Sequence, residues 1–168
     1  MRLLITSDSH GLTKELSDMK QRHHVDWMIH CGDSELSMDA KEMDGFVKVR
    51  GNCDYDNRLK HDITVTKNDF TFFITHGHLY HVKRDLMTLS YRAEEENAQI
   101  ICFGHTHIAG AEKINNQIFI NPGSIRLPRR RIEPTYALLR IVNNKRVKVT
   151  FYSLNGEEVS GLSDEFIL

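Results

Sequence analysis

Cysteine is scarce in this chain and badly placed for cross-linking. There are three, Cys31, Cys53 and Cys102, an odd number with no C-x-x-C spacing. That argues against a disulfide framework and for a reducing compartment, so a cytoplasmic protein is expected. Long hydrophobic runs are missing as well. No apolar stretch approaches the roughly 20 residues that span a bilayer. The start, MRLLITSDSHG, has one Arg and a short apolar run, without a signal peptide's long core and small-residue cleavage site. Charge of one sign is also lacking: the formal net charge is −1 over 168 residues. No global field therefore points to a membrane or to nucleic acid as partner. No linker, repeat or low-complexity segment interrupts the chain, so one domain over residues 1–168 is expected.

What is present is a globular mixture, 40% hydrophobic and 27% charged, with ten histidines, a high number for this length. Short apolar runs at 2–6 (RLLIT), 27–31 (WMIHC), 46–49 (FVKV) and 100–103 (IICF) read as buried strands. Residues 63–75 read as a hairpin turning at Asn68-Asp69. Residues 112–121 and 136–154 read as two further hairpins with Asn-Asn turns. Helices are expected over 12–23, with Leu12, Leu16 and Met19 on one face, and over 81–97, with Leu86, Leu89 and Ala93 facing inward. A short helix is expected near 36–43. Strand and helix alternate in the first half, while the second half is mostly antiparallel strand. The expected class is α/β, two sheets packed face to face with helices outside.

Residues 104–110, GHTHIAG, place His105 and His107 two apart behind an apolar strand. Taken alone, the pair reads either as a strand cap beside a solvated His or as two metal ligands. The other strand ends bear on that choice. RLLIT is followed by Ser7-Asp8-Ser9-His10, WMIHC by Gly32-Asp33, and FVKV by Arg50-Gly51-Asn52-Cys53-Asp54. FTFFIT is followed by His76-Gly77-His78, and IFI by Asn121-Pro122-Gly123-Ser124. In α/β sheets, ligands bind outside the carboxyl ends of the strands. Asp8, His10, Asp33, Asn52, His76, His105 and His107 supply two carboxylates, one amide oxygen and four imidazoles. One tetrahedral zinc site takes four ligands, so this set suits two divalent ions. Mixed nitrogen and oxygen donors favour manganese, nickel, zinc, iron or cobalt over calcium. Such a pair of ions can activate water and clamp a phosphoryl group.

The ordered series D-x-H, G-D, G-N-x-D, H-G-H and G-H-x-H resembles the calcineurin-like metallophosphoesterases. The short chain, GNCD in place of GNH, and NPGS after GHTH resemble the small bacterial phosphodiesterase branch of that family. The resemblance runs from Asp8 to about Ser124, with strands to about residue 154 fitting as well. It implies a four-layer α/β-β/α sandwich and a dimetal phosphodiesterase acting on a small phosphate ester, with manganese first among its metals. It implies that Asp8, His10 and His107 hold one ion, that Asn52, His76 and His105 hold the other, and that Asp33 bridges them. Asn52 and His105 are expected to act on the phosphate, with Asp54 supporting the site or orienting a water.

The chain departs from the family at Cys53, where many relatives carry a His thought to protonate the leaving group. A thiol is a weak acid for an alkoxide, and one beside a metal pair can ionise; Cys53 reads first as a small residue that fits and only second as a catalytic thiol. His78 stands near the site. His23, His24, His30, His61 and His81 read as surface or structural, and Cys31 and Cys102 as core. Arg126 with Arg129-Arg130-Arg131 reads either as a solvated run or as a second-phosphate contact. A non-catalytic scaffold on the same fold, as in a eukaryotic retromer subunit, is the alternative function. The metallo-β-lactamase signature H-x-H-x-D-H is missing, since HTH is followed by IAG. An unpaired edge in the antiparallel half offers a surface for a homo-oligomer.

Overall fold

A computed structural model of the chain describes residues 1–142 and 145–168, so the expected Asn143-Asn144 turn lies outside the described residues. Eleven strands and two α-helices follow one another as β1 (Arg2–Thr6), α1 (Lys14–Arg22), β2 (Trp27–His30), β3 (Phe46–Lys48), β4 (Asp62–Lys67), β5 (Phe70–Thr75), α2 (Met87–Glu95), β6 (Ile100–Cys102), β7 (Gly110–Ile114), β8 (Gln117–Asn121), β9 (Thr135–Val142), β10 (Arg146–Ser153) and β11 (Asp164–Ile167). They form two mixed sheets. The first has the order β11-β10-β9-β1-β2-β3 and the second β4-β5-β6-β8-β7. In the first, β1, β2 and β3 are parallel, and β9, β10 and β11 add antiparallel. In the second, β5, β6 and β8 are parallel, flanked by antiparallel β4 and β7.

The continuous apolar runs follow from burial on both faces. Along β1, Leu3 and Ile5 enter the core between the sheets, while Leu4 turns outward to Leu16 and Met19 of α1. Along β5, Phe72 and Ile74 face the intersheet core and Phe73 turns to Leu89 and Ala93 of α2. β6 and β8 repeat the pattern, with Ile101 and Phe119 outward. Alternation thus builds helix, sheet, sheet, helix. Trp27 of β2 meets Phe72 of β5 edge to face at 5.2 Å, joining the two sheets.

The helices are shorter than the apolar periodicity suggests. α1 starts at Lys14, leaving Leu12 ahead of it. α2 starts at Met87 because Asp85 accepts a hydrogen bond from the Met87 N–H (3.0 Å), and it stops before Asn97, whose φ of +54° cannot continue a helix. The expected helix near 36–43 is only a 3₁₀ turn over Lys41–Met43, and β2 ends at His30, one residue early. β11 was not expected from the sequence. Among the described residues, no helix is long and apolar enough to cross a membrane.

Phe72→Ala should lower unfolding free energy by about 3–5 kcal/mol, because a large cavity opens between sheets that cannot close over it. Urea denaturation followed by circular dichroism measures it.

Candidate metal centre

The six parallel strands all end on one rim. After β1 come Asp8 and His10, after β2 Asp33, after β3 Asn52, after β5 His76, and after β6 His105 and His107, while Asn121 closes β8. The antiparallel strands contribute none of these groups. Loops from the two sheets are laced together across the rim. The His105 N–H donates to Asp8 Oδ2 (3.1 Å), and the His10 N–H to the Asp33 carbonyl (3.0 Å).

The imidazoles are oriented from behind. Nδ1 of His76 donates to the Cys31 carbonyl (2.7 Å), and Nδ1 of His107 to the Leu127 carbonyl (2.7 Å). A carbonyl only accepts, so in the neutral ring each Nε2 is a bare acceptor. Nε2 of His76 faces Asn52 Oδ1 at 3.2 Å, Asp33 Oδ2 at 3.3 Å and Asp8 Oδ1 at 3.9 Å. Nε2 of His107 faces Asp8 Oδ1 at 3.1 Å. Nδ1 of His10 is tied to Glu35 at 2.6 Å, and its Nε2 is buried without a hydrogen-bond partner, as is Asp8 Oδ1. Acceptors converging on acceptors repel unless a cation stands among them. Among the described residues three groups have donor atoms all within 4.8 Å of one another, His10/Glu35/Cys53, Asp8/His10/His107 and Asp8/Asp33/His76. These residues fit divalent metal.

Asp8 is common to the last two groups and His10 to the first two, while the sequence reading gave the bridging place to Asp33. Asp33 holds one oxygen on the Cys53 N–H (2.8 Å) and turns the other to His76. His105 packs edge-on against His76 at 5.0 Å. Asn52 is exposed and meets His76 through Oδ1. Burial works against ionisation of Asp33, yet the His76 imidazole and the Cys53 N–H hold its carboxyl far below the usual range. Burial, then the charge of His76, pushes His105 down to about 4, so its ring is neutral near pH 7 and its lone pair is free.

Local backbone geometry is shaped around these atoms. Asp8, His10, Asp33, His105 and His107 all have positive φ, between +43° and +67°. Left-handed backbone costs a non-glycine residue about 1 kcal/mol or more. Glycines admit the close approach. A Cβ on Gly51 would lie 2.0 Å from Asp33 Oδ1, and one on Gly104 would lie 2.0 Å from Ser7 Oγ and 2.7 Å from Asp8 Oδ2.

One expectation needs correction. Asp54 does not reach the cluster as a catalytic group. Its buried carboxylate accepts from the N–H groups of Asp33 (2.8 Å), Glu35 (2.7 Å) and Gly51 (2.7 Å) and from Ser34 Oγ (3.1 Å), which makes it a positioning residue. Partial burial, then the Asp33 carboxylate, push the Cys53 thiol up to about 11. Glu35 was missed in the sequence, although a second acid two residues beyond Asp33 was its signal. His30 is structural as expected. Buried, it accepts from the Gly32 N–H (3.2 Å) and donates to Ser9 Oγ (2.9 Å), tying the first two loops together. His78 lies 5.3 Å from His76 and 6.1 Å from His105, ring to ring.

Carboxylates and imidazoles gathered at the parallel-strand ends of a two-sheet sandwich define a metallophosphoesterase. Residues 1–144 match the calcineurin-like phosphoesterase superfamily domain, and the chain belongs to that family. The probable metallophosphoesterase YsnB of Bacillus subtilis is 45% identical over 170 residues, covering 100% of both chains. The phosphodiesterase YfcE of Escherichia coli is 28% identical over 167 residues, covering 83% of this chain and 87% of its own. A crystal structure from Streptococcus pneumoniae TIGR4, described as a predicted phosphoesterase, superposes with a TM-score of 0.94 at 34% identity, over 99% of this chain and 97% of that one.

Gly51→Ala should weaken Mn²⁺ binding about 100-fold while the far-ultraviolet circular dichroism stays unchanged, since the added methyl displaces Asp33. Calorimetric titration of the metal-stripped protein checks this.

Proposed function

We propose that the protein is a two-metal phosphodiesterase that hydrolyses a small phosphate diester. The observation carrying this reading is the convergence of His10 Nε2, His76 Nε2, His107 Nε2, Asp8 Oδ1 and Asp33 Oδ2 on one rim, with both Nδ1 atoms of His76 and His107 already spent on backbone carbonyls. Asp8, His10 and His107 would hold one ion. Asn52, His76 and His105 would hold the other, with Asp33 and Asp8 between the two. Manganese is the first choice, and nickel, zinc, iron or cobalt suit the same donors. When bound, two such ions acidify a shared water and offset charge on the phosphoryl oxygens. The chain's own part is to fix that geometry. His76 and His107 are locked by backbone carbonyls, Asp54 fixes the Asp33 loop, and the exposed Asn52 amide stands where it can steady a phosphate oxygen. The phosphodiesterase name of YfcE and the free state of all three cysteines support a diesterase of the reducing cytoplasm.

No histidine follows Asn52, and the protonated Cys53 thiol is a poor acid for an alkoxide. Esters whose leaving group needs no proton should therefore turn over best.

With metal restored, the protein should bind about two equivalents of Mn²⁺ and hydrolyse bis-p-nitrophenyl phosphate. Asp33→Asn should reduce kcat by 100-fold or more. Metal uptake without turnover of any phosphodiester would favour a scaffold instead. Cys53→His should raise kcat for a diester with an alkyl leaving group by at least tenfold and leave the p-nitrophenyl ester nearly unchanged, which steady-state kinetics on both substrates would show.

A further inference from the structure

The segment Asn121–Ile132, NPGSIRLPRRRI, contains four arginines and no acidic residue. It is stitched directly to one half of the metal centre. Ser124 Oγ donates to the Asp8 carbonyl (2.8 Å) and accepts from the Leu127 N–H (2.8 Å). The Leu127 carbonyl receives His107 Nδ1 (2.7 Å), and the Arg129 N–H donates to the His107 carbonyl (2.9 Å). Arg126 lies over Gly11 and donates through Nη1 to the His10 carbonyl. The carbonyls of Asp8, His10 and His107 are thus all held by this one loop.

Its guanidinium groups differ in surroundings. Arg131 is mostly covered and turns to Glu133 (3.5 Å), so it belongs to the loop's own packing. Arg126, Arg129 and Arg130 are exposed, and among the described residues no carboxylate pairs with them. Elsewhere Arg58, Arg84, Arg92 and Arg146 all sit on carboxylates. Arg2, Arg22, Arg50 and Arg140 are also without such partners, but Arg2 and Arg140 lie opposite one another at the amino end of β1, Arg22 donates to the Leu154 carbonyl (2.7 Å), and the half-buried Arg50 after β3 donates to the Asp54 carbonyl (3.3 Å). Arg130 is held at a φ of +60°. In a chain of net charge −1, three guanidiniums without a carboxylate partner, carried on a loop anchored to the candidate metal centre, are a local asymmetry that phosphate geometry matches.

We propose that Arg126, Arg129 and Arg130 form a subsite for a second phosphate group, so that the preferred substrate is a small diester carrying an additional terminal phosphate. This rests on the phosphodiesterase reading for the scissile bond. The loop measures where the second phosphate lies relative to the first, because it is anchored to the ligands themselves. A small substrate is favoured over a nucleic-acid strand because the exposed guanidiniums without a carboxylate partner at the rim are confined to this one loop.

The test is an NMR titration, in EDTA to prevent hydrolysis, with a thymidine dinucleotide that has or lacks a 5′-terminal phosphate. The proteins are the native chain, R129Q/R130Q and R140Q. The terminal phosphate should tighten Kd about tenfold in the native protein and in R140Q, and the gain should vanish in R129Q/R130Q. No tightening in the native chain, an equal gain in R129Q/R130Q, or its loss in R140Q would overturn the subsite. Affinity that keeps rising along a longer single strand would overturn the small-substrate reading in favour of a nucleic-acid surface. Turnover of bis-p-nitrophenyl phosphate by the manganese-loaded native chain is measured separately. Its failure would count against the phosphodiesterase reading while the binding result still decides the subsite.

Discussion

Everything at the rim depends on one hydrogen-bond constraint: imidazole Nδ1 atoms pinned to backbone carbonyls. A carbonyl cannot donate, so the pin fixes the tautomer and leaves Nε2 without a proton. For His76 and His107 the carbonyls come from Cys31 and Leu127, in different loops from the histidines. Each ring is thereby aimed by the fold and not by its own rotamer preference. The bare nitrogens then face Asp8, Asp33 and Asn52, oxygens that also only accept in this arrangement. Protonating the rings is one way to relieve the repulsion. A divalent ion relieves more of it at once, because a single cation serves several acceptors.

That constraint makes sense of local features that otherwise look unfavourable. Five of the seven candidate ligands sit on left-handed backbone, a strain of about 1 kcal/mol or more at each. For a domain whose net stability is of the order of 5–15 kcal/mol, the total is large. The two-sheet core carries it, with Leu3, Ile5, Phe72, Ile74, Ile120 and Phe151 wholly enclosed. The glycines beside the ligands belong to the same economy of space. Gly51 and Gly104 leave room for carboxylate oxygens that a methyl group would occupy. The metal rim is compact because backbone, not side chain, lies against the ligands.

How much of this was legible in the sequence follows from the same physics. The inward and outward alternation of β1, β5, β6 and β8 was hidden, since both faces are apolar, but the runs themselves were plain. What followed each run was plainer still: the strands that end in Asp, Asn or His proved to be the parallel ones. Helix ends were not legible, because Asp85 and Asn97 override the apolar periodicity through local side-chain and backbone geometry. β11 escaped notice because DEFI has two acids in four residues and, as the edge strand, pairs only with β10. Asp54 was visible as a nearby acid, but its job was not. Which backbone amides a carboxylate collects depends on two loops meeting, and no spacing encodes that. Glu35 was overlooked because its contact with His10 spans 25 residues.

Cys53 is where local chemistry bears most on reaction scope. The position follows the Asn52 amide and lies against Asp33, whose Oδ1 takes the Cys53 N–H. That carboxylate, with Glu35 and Asp54 beyond it, opposes a thiolate and keeps the sulfur protonated. A protonated thiol of such weak acidity gives up its proton too reluctantly to assist an alkoxide in leaving. The same acidic surroundings would stabilise an imidazolium, so a histidine at this position would be a charged acid held near the leaving oxygen. The chain therefore has the environment for general acid catalysis without the acid. In the proposed reaction the burden of stabilising the leaving group would shift to the metals and to the substrate, whose own leaving-group acidity would then govern its rate.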